Sequence, residues 1–260
     1  MESLAVDLHI HSCLSPCAER DMTPNNIAGM AMLKQLDMIA VTDHNRAQNA
    51  RAVARAAEEY GVLVLPGMEA QSREDVHLLC YFPDFDLLEE FDDWHYRFLP
   101  DMPAMPQLFG EQWLMDEEDC RVGDEPRLLL QSTTLSIDEV CQKVLAMGGA
   151  MVPAHVNRQA NSLLYNLGFI PPGLPVTTLE VSRLAPSPEG IGGYRTIYSS
   201  DAHDLGAILE RDNFLRVEER SVAAVIRRLK EKSGNIGYFA GFFRGKKKKK
   251  MHLVDGYDRI

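Results

Sequence analysis

Six of the eight histidines in the sequence fall at or just beyond the carboxyl ends of predicted β-strands. They are His9 and His11 in DLHIHS, His44 in TDHN, His77 in DVHLL, His155 in PAHVNR and His203 in SDAH. Two carboxylates occupy similar places, Glu69 in GMEA and Asp201 in SDAH. A single histidine at such a place is most often a hydrogen-bonded structural residue, so it is the combined pattern that predicts chemistry.

Two pairs within this set have side chains that point the same way. Side chains alternate between the two faces of a β-strand, so His9 and His11 share a face, as do Asp201 and His203. Buried imidazoles and carboxylates are costly without partners, and a bound cation removes that cost. Imidazole and carboxylate donors without thiolate suit Zn²⁺, Mn²⁺ or Fe²⁺. The pattern therefore predicts a site for more than one divalent metal ion.

The strands that must position these residues alternate with helical segments. AVDLHI, DMIAVTDH, VLVLPGMEA and DVHLLCYF are typical of strands, as are the later AMVPAHV, TTLEVS and TIYSSDAH. Thr23 and Pro24 predict the start of one helix, and Ser136 with Glu139 forms a capping box for another. This alternation predicts a parallel sheet covered by helices, and the number of units favours a barrel over an open sheet.

An acidic stretch interrupts the alternation after the fourth predicted strand. Residues 84–125 contain 14 Asp or Glu and only two Arg. A connection of this length in a compact domain is usually a lid or a small added subdomain, and an acidic, mobile surface loop is the alternative. We therefore expect a barrel domain over residues 1–240, with an insertion at 84–130, and a basic tail over 241–260.

Composition and charge narrow the classes of function. With 260 residues, 45% of them hydrophobic, the chain is typical of a globular protein. No apolar run approaches the roughly 20 residues of a membrane helix, and the N-terminus has no signal-peptide pattern. Five scattered cysteines indicate reduced thiols, so we expect a cytoplasmic protein without membrane partners. A formal charge of −11 disfavours binding along a duplex, and the lysine run 246–250 is most simply a solvated tail.

The motifs, taken in order, resemble those of a known family. DLHIHS, TDHN, the glutamate of GMEA, AHVNR and SDAH are similar to the ordered motifs of the PHP (polymerase and histidinol phosphatase) family of metal-dependent phosphoesterases. The resemblance extends from residue 7 to about residue 225, apart from the acidic insertion. It implies an α/β fold, a distorted seven-stranded (β/α) barrel similar to a TIM barrel, with two or three divalent metal ions.

The resemblance also implies the ligands of the first two metals, which share one carboxylate. The first metal would have four ligands: His9, His11, Glu69 and Asp201. The second would share Glu69 and add His77 and His155.

A third metal would be bound by His44, His203 and one residue of the loop that follows DLHIHS. Many relatives have the aspartate of an SDG segment in that loop, and this chain has SPCAERDMTP instead. The first candidate is Glu19, five residues before the proline that opens the next helix. Asp21 is the second candidate and Cys17 the third.

Further residues are candidates for catalysis. Arg158, three residues after His155, is placed to bind a phosphate, and Arg46 is a weaker candidate. Asp43, next to His44, would orient a ligand imidazole or protonate the leaving group. The predicted reaction is hydrolysis of a phosphomonoester by a hydroxide that bridges the metals. The predicted substrate is a phosphorylated metabolite, a nucleotide or the 5′ end of a short single-stranded oligonucleotide.

Two alternatives to a phosphoesterase are an amidohydrolase and a non-catalytic metal-binding module. Amidohydrolases hydrolyse C–N bonds and also begin with an HxH strand, but they end with a lone aspartate and often have a carboxylated lysine bridge. This chain ends with Asp201 and His203, has Glu69 as the predicted bridge and has no lysine on predicted strands three to five. A non-catalytic module would have lost ligands, whereas nearly every expected position is filled.

Overall fold

The computed structural model describes residues 1–232, in which eleven strands and seven α-helices follow one another along the chain. The strands are β1 (Glu2–Ile10), β2 (Met38–Val41), β3 (Leu63–Val64), β4 (Gly67–Gln71), β5 (His77–Tyr81), β6 (Trp113–Met115), β7 (Arg121–Asp124), β8 (Ala150–Pro153), β9 (Thr178–Glu180), β10 (Arg195–Ile197) and β11 (Phe214–Val217). The predicted tail, 241–260, and its lysine run, 246–250, lie outside the described residues.

The five longer helices each bury one face against the rest of the molecule. They are α1 (Pro24–Leu33), α2 (Ala50–Glu58), α3 (Phe85–Tyr96), α4 (Pro106–Phe109), α5 (Ile137–Ala146), α6 (Leu163–Leu167) and α7 (Val222–Lys230), and a 3₁₀ helix covers Leu205–Ala207. The predicted capping box at Ser136 and Glu139 is present at the start of α5. Among the described residues, no helix is both long enough and apolar enough to cross a membrane.

The strands form four sheets of mixed direction. In the first sheet, of order β11-β1-β2-β3, the strands β1, β2 and β3 are parallel and β11 is antiparallel. The second sheet, of order β4-β5-β8, is antiparallel throughout. Strands β9 and β10 form a parallel pair, and β6 and β7 form a hairpin. The prediction of an all-parallel sheet is therefore wrong for the second sheet.

The sheets approach one another at the end that carries the histidines. Isolated bridges join Ile10 to Ala202 and His44 to Glu69. Continuous pairing does not close a barrel within residues 1–232, so the predicted seven-stranded barrel is not confirmed. The fold that the structure shows is a mixed α/β arrangement whose strand ends converge.

A register shift in β1 decides where its two histidines point. Val6 packs in an interior cluster with residues of β5, β8 and α7, whereas Ile10 packs against α1. Residues four apart in a regular strand share a face, so the shift between Asp7 and Ile10 exchanges the two faces. His9 and His11 therefore face the interior rather than the helices.

The acidic insertion is docked against the loop between β1 and α1. The amide of Trp113 donates to the carbonyl of Cys13 (2.9 Å), and Leu14 is buried against Leu99 and Leu129. These contacts pack the insertion against the loop that precedes α1.

Helix α1 receives its N-terminal cap from the insertion. Thr23 precedes Pro24 as predicted, but its hydroxyl donates to Asp119 Oδ2 (2.7 Å) instead of accepting from the helix. Asp119 Oδ1 accepts from the amide of Asn25 (2.8 Å), which satisfies one of the free donors of the first turn. The hairpin of β6 and β7 thus holds the start of α1 and the loop before it.

Candidate metal centre

Glu69 lies at the centre of a cluster of imidazoles. It is fully buried, and its carboxylate lies within hydrogen-bonding or ion-pairing distance of five ring nitrogens. These are His9 Nε2 (3.2 Å), His11 Nε2 (3.5 Å), His44 Nδ1 (2.9 Å), His77 Nδ1 (3.0 Å) and His155 Nε2 (3.5 Å). Neither carboxylate oxygen makes a well-formed hydrogen bond. A buried carboxylate of this kind requires compensating positive charge.

His9 and His11 present lone pairs to each other and to Asp201. Nδ1 of His9 lies 3.0 Å from Glu180 Oε2, and Nδ1 of His11 lies 3.0 Å from Ser15 Oγ. With an acceptor at each Nδ1, the proton of a neutral ring sits there and Nε2 carries a lone pair. The two Nε2 atoms are 3.1 Å apart and lie 3.2 and 3.0 Å from Asp201 Oδ1. Lone pairs that converge in this way fit a divalent cation.

The described residues contain four groups of ligand-type atoms that lie within 4.8 Å of one another, and three of them belong to the cluster. These three are His9, His11 and Asp201; His44, Glu69 and His77; and His11, His44 and His203. The fourth, Asp116, Glu118 and Cys120, lies on the hairpin of β6 and β7. The first group contains three of the four ligands expected for the first metal, and Glu69, the fourth, lies 3.2 Å from His9 Nε2. The second differs from the prediction because His44 joins Glu69 and His77, while His155 lies at the edge with an unpartnered Nδ1. The imidazoles and carboxylates present fit divalent metal ions. The groups overlap, because His11 and His44 each belong to two of them.

His77 reaches the centre from the beginning of its strand. The sequence predicts His77 near a strand end, but it is the first residue of β5. Because β5 runs antiparallel to β4, His77 pairs with Gln71 at the carboxyl end of β4. The start of β5 therefore lies at the same edge as the ends of the neighbouring strands.

The loop after DLHIHS places Cys17, not Glu19, beside the imidazoles. The thiol of Cys17 lies beside the imidazoles of His44 and His203 and borders the cavity described below. Glu19 and Asp21 are exposed, and neither belongs to a group of ligand-type atoms in the described residues. The prediction for Glu19 is thus not supported, because counting back from the proline ignores the turns that the longer loop makes.

Two successive turns set the direction of Cys17. The amide of Ser15 donates to the carbonyl of Ser12 (3.0 Å), and that of Ala18 donates to Ser15 (2.9 Å). Burial alone would raise the pKa of the Cys17 thiol, but the neighbouring imidazoles lower it to about 7.

Asp43 is directed away from the cavity and towards the two serines of DLHIHSCLS. Its carboxylate accepts from the amide and hydroxyl of Ser12 (2.7 and 2.6 Å) and from the hydroxyl of Ser15 (2.6 Å). Ser15 in turn contacts His11, so Asp43 orients His11 through Ser15 rather than His44 directly. At 1% exposure, Asp43 does not reach a leaving group, and that predicted role is wrong.

The two arginine candidates have different surroundings. Arg158 borders the cavity, and its guanidinium pairs with the carboxylate of Asp201. Arg46 is buried against the insertion, where its guanidinium lies 3.4 Å from Asp92 and 3.4 Å from Glu125 and stacks over the ring of Tyr96. Arg46 therefore fixes the insertion and does not bind a phosphate, which corrects the weaker of the two predictions.

Glu180 and Ser15 are the supporting residues that sequence reasoning missed. Glu180, the last residue of β9, contacts His9 and also accepts from the amide of His155 (2.9 Å). The same signal that marked Glu69, a carboxylate at the end of an apolar strand, would have found it. Ser15 lies in a loop whose turns no spacing rule predicted.

The imidazoles of the cluster lower the pKa values of its carboxylates. Burial opposes ionisation of Glu69, but His77, His9 and His44 hold its pKa well below the usual range. The pKa of Asp201 is also lowered against the effect of burial, by His9 and His11. Both carboxylates therefore remain anionic and able to bind a cation.

A cavity of about 1240 Å³ opens onto the cluster. On one side it is bordered by site residues, and on the other by the segments 156–161 and 184–189. The residues of the cluster that border it are Cys17, His44, His77, His155, Asp201 and His203. A volume of this order is sufficient for a small organic ligand.

The family model of the PHP domain matches residues 7–144, a little over half of the chain. The chain belongs to the PHP domain family. The match includes DLHIHS, TDHN and the GMEA glutamate, and it ends before His155 and SDAH. The placement of His155 and SDAH at the site is therefore an observation of the structure and not of the family match. No curated protein matches this PHP chain.

Solved structures share the fold of this PHP protein at low sequence identity. The lesion-specific endonuclease Q from Pyrococcus furiosus aligns with a TM-score of 0.63 and 18% identity, over 88% of this chain and 56% of that chain. A protein classed as a metal-dependent phosphoesterase, from Bifidobacterium adolescentis, aligns with a TM-score of 0.52 and 20% identity, over 80% and 91%. An amidohydrolase from Chromobacterium violaceum, with bound sulfate, aligns with a TM-score of 0.54 and 17% identity, over 87% and 96%. The chain thus spans little more than half the length of the endonuclease.

Proposed function

We propose that this PHP protein is a metal-dependent phosphoesterase that hydrolyses a phosphomonoester. The observation that carries the proposal is the Glu69 carboxylate, fully buried among five imidazoles without a well-formed hydrogen bond. A site of this composition, at the edge of a cavity that accepts a small molecule, suits hydrolysis of a charged ester.

Two or three divalent metal ions would be held by the clustered residues. The side chains concerned are His9, His11, His44, Glu69, His77, His155, Asp201 and His203. Imidazole with carboxylate fits Zn²⁺, Mn²⁺ or Fe²⁺. Such ions, when bound, neutralise phosphoryl oxygens and make a water nucleophile available near neutral pH.

The residues around the ligands hold protons where they do not compete with a metal. Glu180 keeps the proton of His9 on Nδ1, and Ser15, itself bonded to Asp43, keeps the proton of His11 on Nδ1. Both Nε2 atoms therefore remain available as ligands. Asp43 thus acts in the proposal as a positioning residue.

Arg158 is the proposed contact for the substrate's phosphoryl group. Its guanidinium borders the cavity and is one-third exposed, so it is accessible to an anion. The ion pair with Asp201 directs the guanidinium towards the cluster, where a planar fork of donors matches phosphoryl oxygens.

The proposed substrate class is a phosphorylated metabolite, a nucleotide or the 5′ end of a short oligonucleotide. The formal charge of −11 opposes contact with a long stretch of duplex. The endonuclease neighbour shares the fold at 18% identity, so polynucleotides belong in the test. Hydrolysis of C–N bonds is less well supported, since no lysine borders the cavity in the described part of the chain.

A substrate screen with a ligand variant tests the proposal. Metal-free protein would be loaded with Zn²⁺, Mn²⁺ or Fe²⁺ and offered phosphorylated metabolites, nucleotides, short 5′-phosphorylated oligonucleotides, a lesion-containing duplex and amide substrates. We expect release of inorganic phosphate from at least one phosphomonoester, and loss of both metal and activity in His9→Ala. His95→Gln, which changes a buried histidine bonded to Asn45, is the matched control and should retain both. Activity only towards amides, or only towards internal phosphodiesters, would contradict the proposal.

A further inference from the structure

The loop between β1 and α1 carries a thiol to the edge of the metal centre. Ser15 on one side of Cys17 is bonded to His11, and the amide of Glu19 on the other side donates to the carbonyl of His203 (2.8 Å). These two bonds hold residue 17 between the imidazoles. Its side chain borders the same cavity as His44 and His203 and lies beside both imidazoles.

The imidazoles around Cys17 form a group of their own. His11, His44 and His203 offer ring nitrogens that lie within 4.8 Å of one another, and the His11 ring centroid lies 4.4 Å from that of His44 and 4.3 Å from that of His203. His44 is 5% exposed, and its Nδ1 lies 2.9 Å from Glu69 Oε2, so Nε2 is the ring nitrogen left for this group. Nδ1 of His203 lies 2.8 Å from the Asp201 carbonyl, which directs its proton there and leaves a lone pair on Nε2.

The donor atom that the loop places beside this group is the sulfur of Cys17 and not a carboxylate oxygen. Glu19 and Asp21, the carboxylates nearest in sequence, are exposed and do not border the cavity, whereas Cys17, although also exposed, borders it beside His44 and His203. Of the other four cysteines, Cys13 is buried beside Asn49, Cys80 and Cys141 are buried in the core, and Cys120 is exposed on the insertion hairpin.

We infer that Cys17 is the loop ligand of a third metal position, together with His44 and His203, and that this position is a mixed nitrogen–sulfur site. Thiolate with imidazole favours Zn²⁺ over Mn²⁺, whereas imidazole with carboxylate accepts either. This position is therefore selective for a zinc-like ion, while the groups around Glu69 and Asp201 are not. The inference rests on the metal centre of the proposed function.

Cobalt spectroscopy tests the inference without reference to turnover. Metal-free full-length protein would be titrated with Co²⁺, and the sulfur-to-cobalt charge-transfer band in the near ultraviolet would be recorded together with bound cobalt. We expect the band in the wild type and in Cys120→Ser, the control for an exposed cysteine. Cys17→Ser should lose the band and about one equivalent of metal. Cys17→Asp should keep the equivalent, since it restores a carboxylate ligand, but lose the band.

The outcomes separate this inference from the proposed function. A band that persists in Cys17→Ser or Cys17→Asp, or a wild type that binds cobalt fully without the band, overturns the role of Cys17 and leaves the Glu69 centre intact. Full cobalt binding with the expected band but no phosphoester hydrolysis overturns the proposed function instead. A wild type that binds no cobalt overturns both.

Discussion

The positions of protons on single imidazoles decide whether the cluster around Glu69 can hold a cation. His9 and His11 would repel each other if both Nε2 lone pairs faced an empty space, and protonation of both would place two charges 3.1 Å apart. Burial opposes protonation of His9, but Glu180, Asp201 and Glu69 raise its pKa well above the usual range. Burial and the neighbouring imidazoles of His44 and His203 hold the pKa of His11 well below it. The carboxylates therefore favour one positive charge on this pair of rings, and a bound cation would take the place of the proton on His9 Nε2.

At this scale we predict that Glu180→Gln weakens metal binding by roughly tenfold to a hundredfold, as for other carboxylates that orient a ligand histidine. The substitution removes the charge that holds the proton of His9 on Nδ1. Competition with a chelator would measure the affinity. Glu189→Gln, an exposed carboxylate at the cavity rim, is the control. Equal affinities in the two variants would contradict the role of Glu180.

The two serines that bond Asp43 give a second prediction. Ser15→Ala leaves Nδ1 of His11 without its acceptor and should lower metal affinity, whereas Ser12→Ala should mainly lower stability, by about 1 kcal/mol. Metal titration and thermal melting of both variants would separate the effects. A larger loss of metal affinity in Ser12→Ala than in Ser15→Ala would show that Asp43 does not act through Ser15.

The strands bring these side chains together through periodicity, which the sequence pattern predicts, and through register and strand direction, which it does not. Strand periodicity predicts that His9 and His11 share a face, and they do, but the register shift that turns them inward has no local sequence signal. The direction of β5 was wrong in the prediction, because an antiparallel strand can present its first residue where a parallel strand presents its last. Both depend on pairing between distant segments, which single-strand patterns do not contain.

At the scale of elements, we predict that the hairpin of β6 and β7 stabilises the start of α1. Asp119→Ala removes two hydrogen bonds that fix the start of α1 and should lower the free energy of unfolding by about 1 kcal/mol, as loss of an N-cap does. It should also speed alkylation of Cys17, because the loop before α1 loses its anchor. Asp124→Ala, which removes an exposed pair with Arg121, is the control. An unchanged free energy of unfolding and an unchanged rate of Cys17 alkylation in Asp119→Ala would show that the hairpin does not stabilise α1 or the loop before it.

At the scale of the whole described structure, residues 1–232, the predicted site residues come together, but the strands pair differently from the expected barrel. The residues from DLHIHS to SDAH were predictable as one site because their strand ends meet in the fold. The closed barrel was not, because short strands and isolated bridges replace continuous ladders in the described residues. The docking of the insertion also depends on tertiary contacts, such as those of Arg46, that composition alone does not reveal.

Stability of the whole molecule should depend on pH through a buried carboxyl group of the insertion. Burial raises the pKa of Asp92 to about 7, although Arg46 opposes the shift. The folded state thus keeps a proton that the unfolded chain has released, so stability falls as pH rises from about 4 to about 7. Asp92→Asn should remove this part of the dependence, on the order of 1–3 kcal/mol.

Thermal melting at about pH 5 and about pH 8 would measure the Asp92 effect as the difference between variant and wild type. Asp138→Asn, at an exposed position of α5, serves as the control. If Asp92→Asn and Asp138→Asn alter the pH dependence equally, the shift assigned to Asp92 is wrong.

The content of bound metal tests the central claim most directly. Elemental analysis of wild type and Glu69→Gln, after reconstitution and removal of excess metal, would count the ions that the cluster holds. We predict about two or three equivalents in the wild type and a loss of at least about one in Glu69→Gln, since Glu69 adjoins five imidazoles and has no other compensating charge in the described residues. Less than about one equivalent in the wild type, or an unchanged content in Glu69→Gln, would contradict the account.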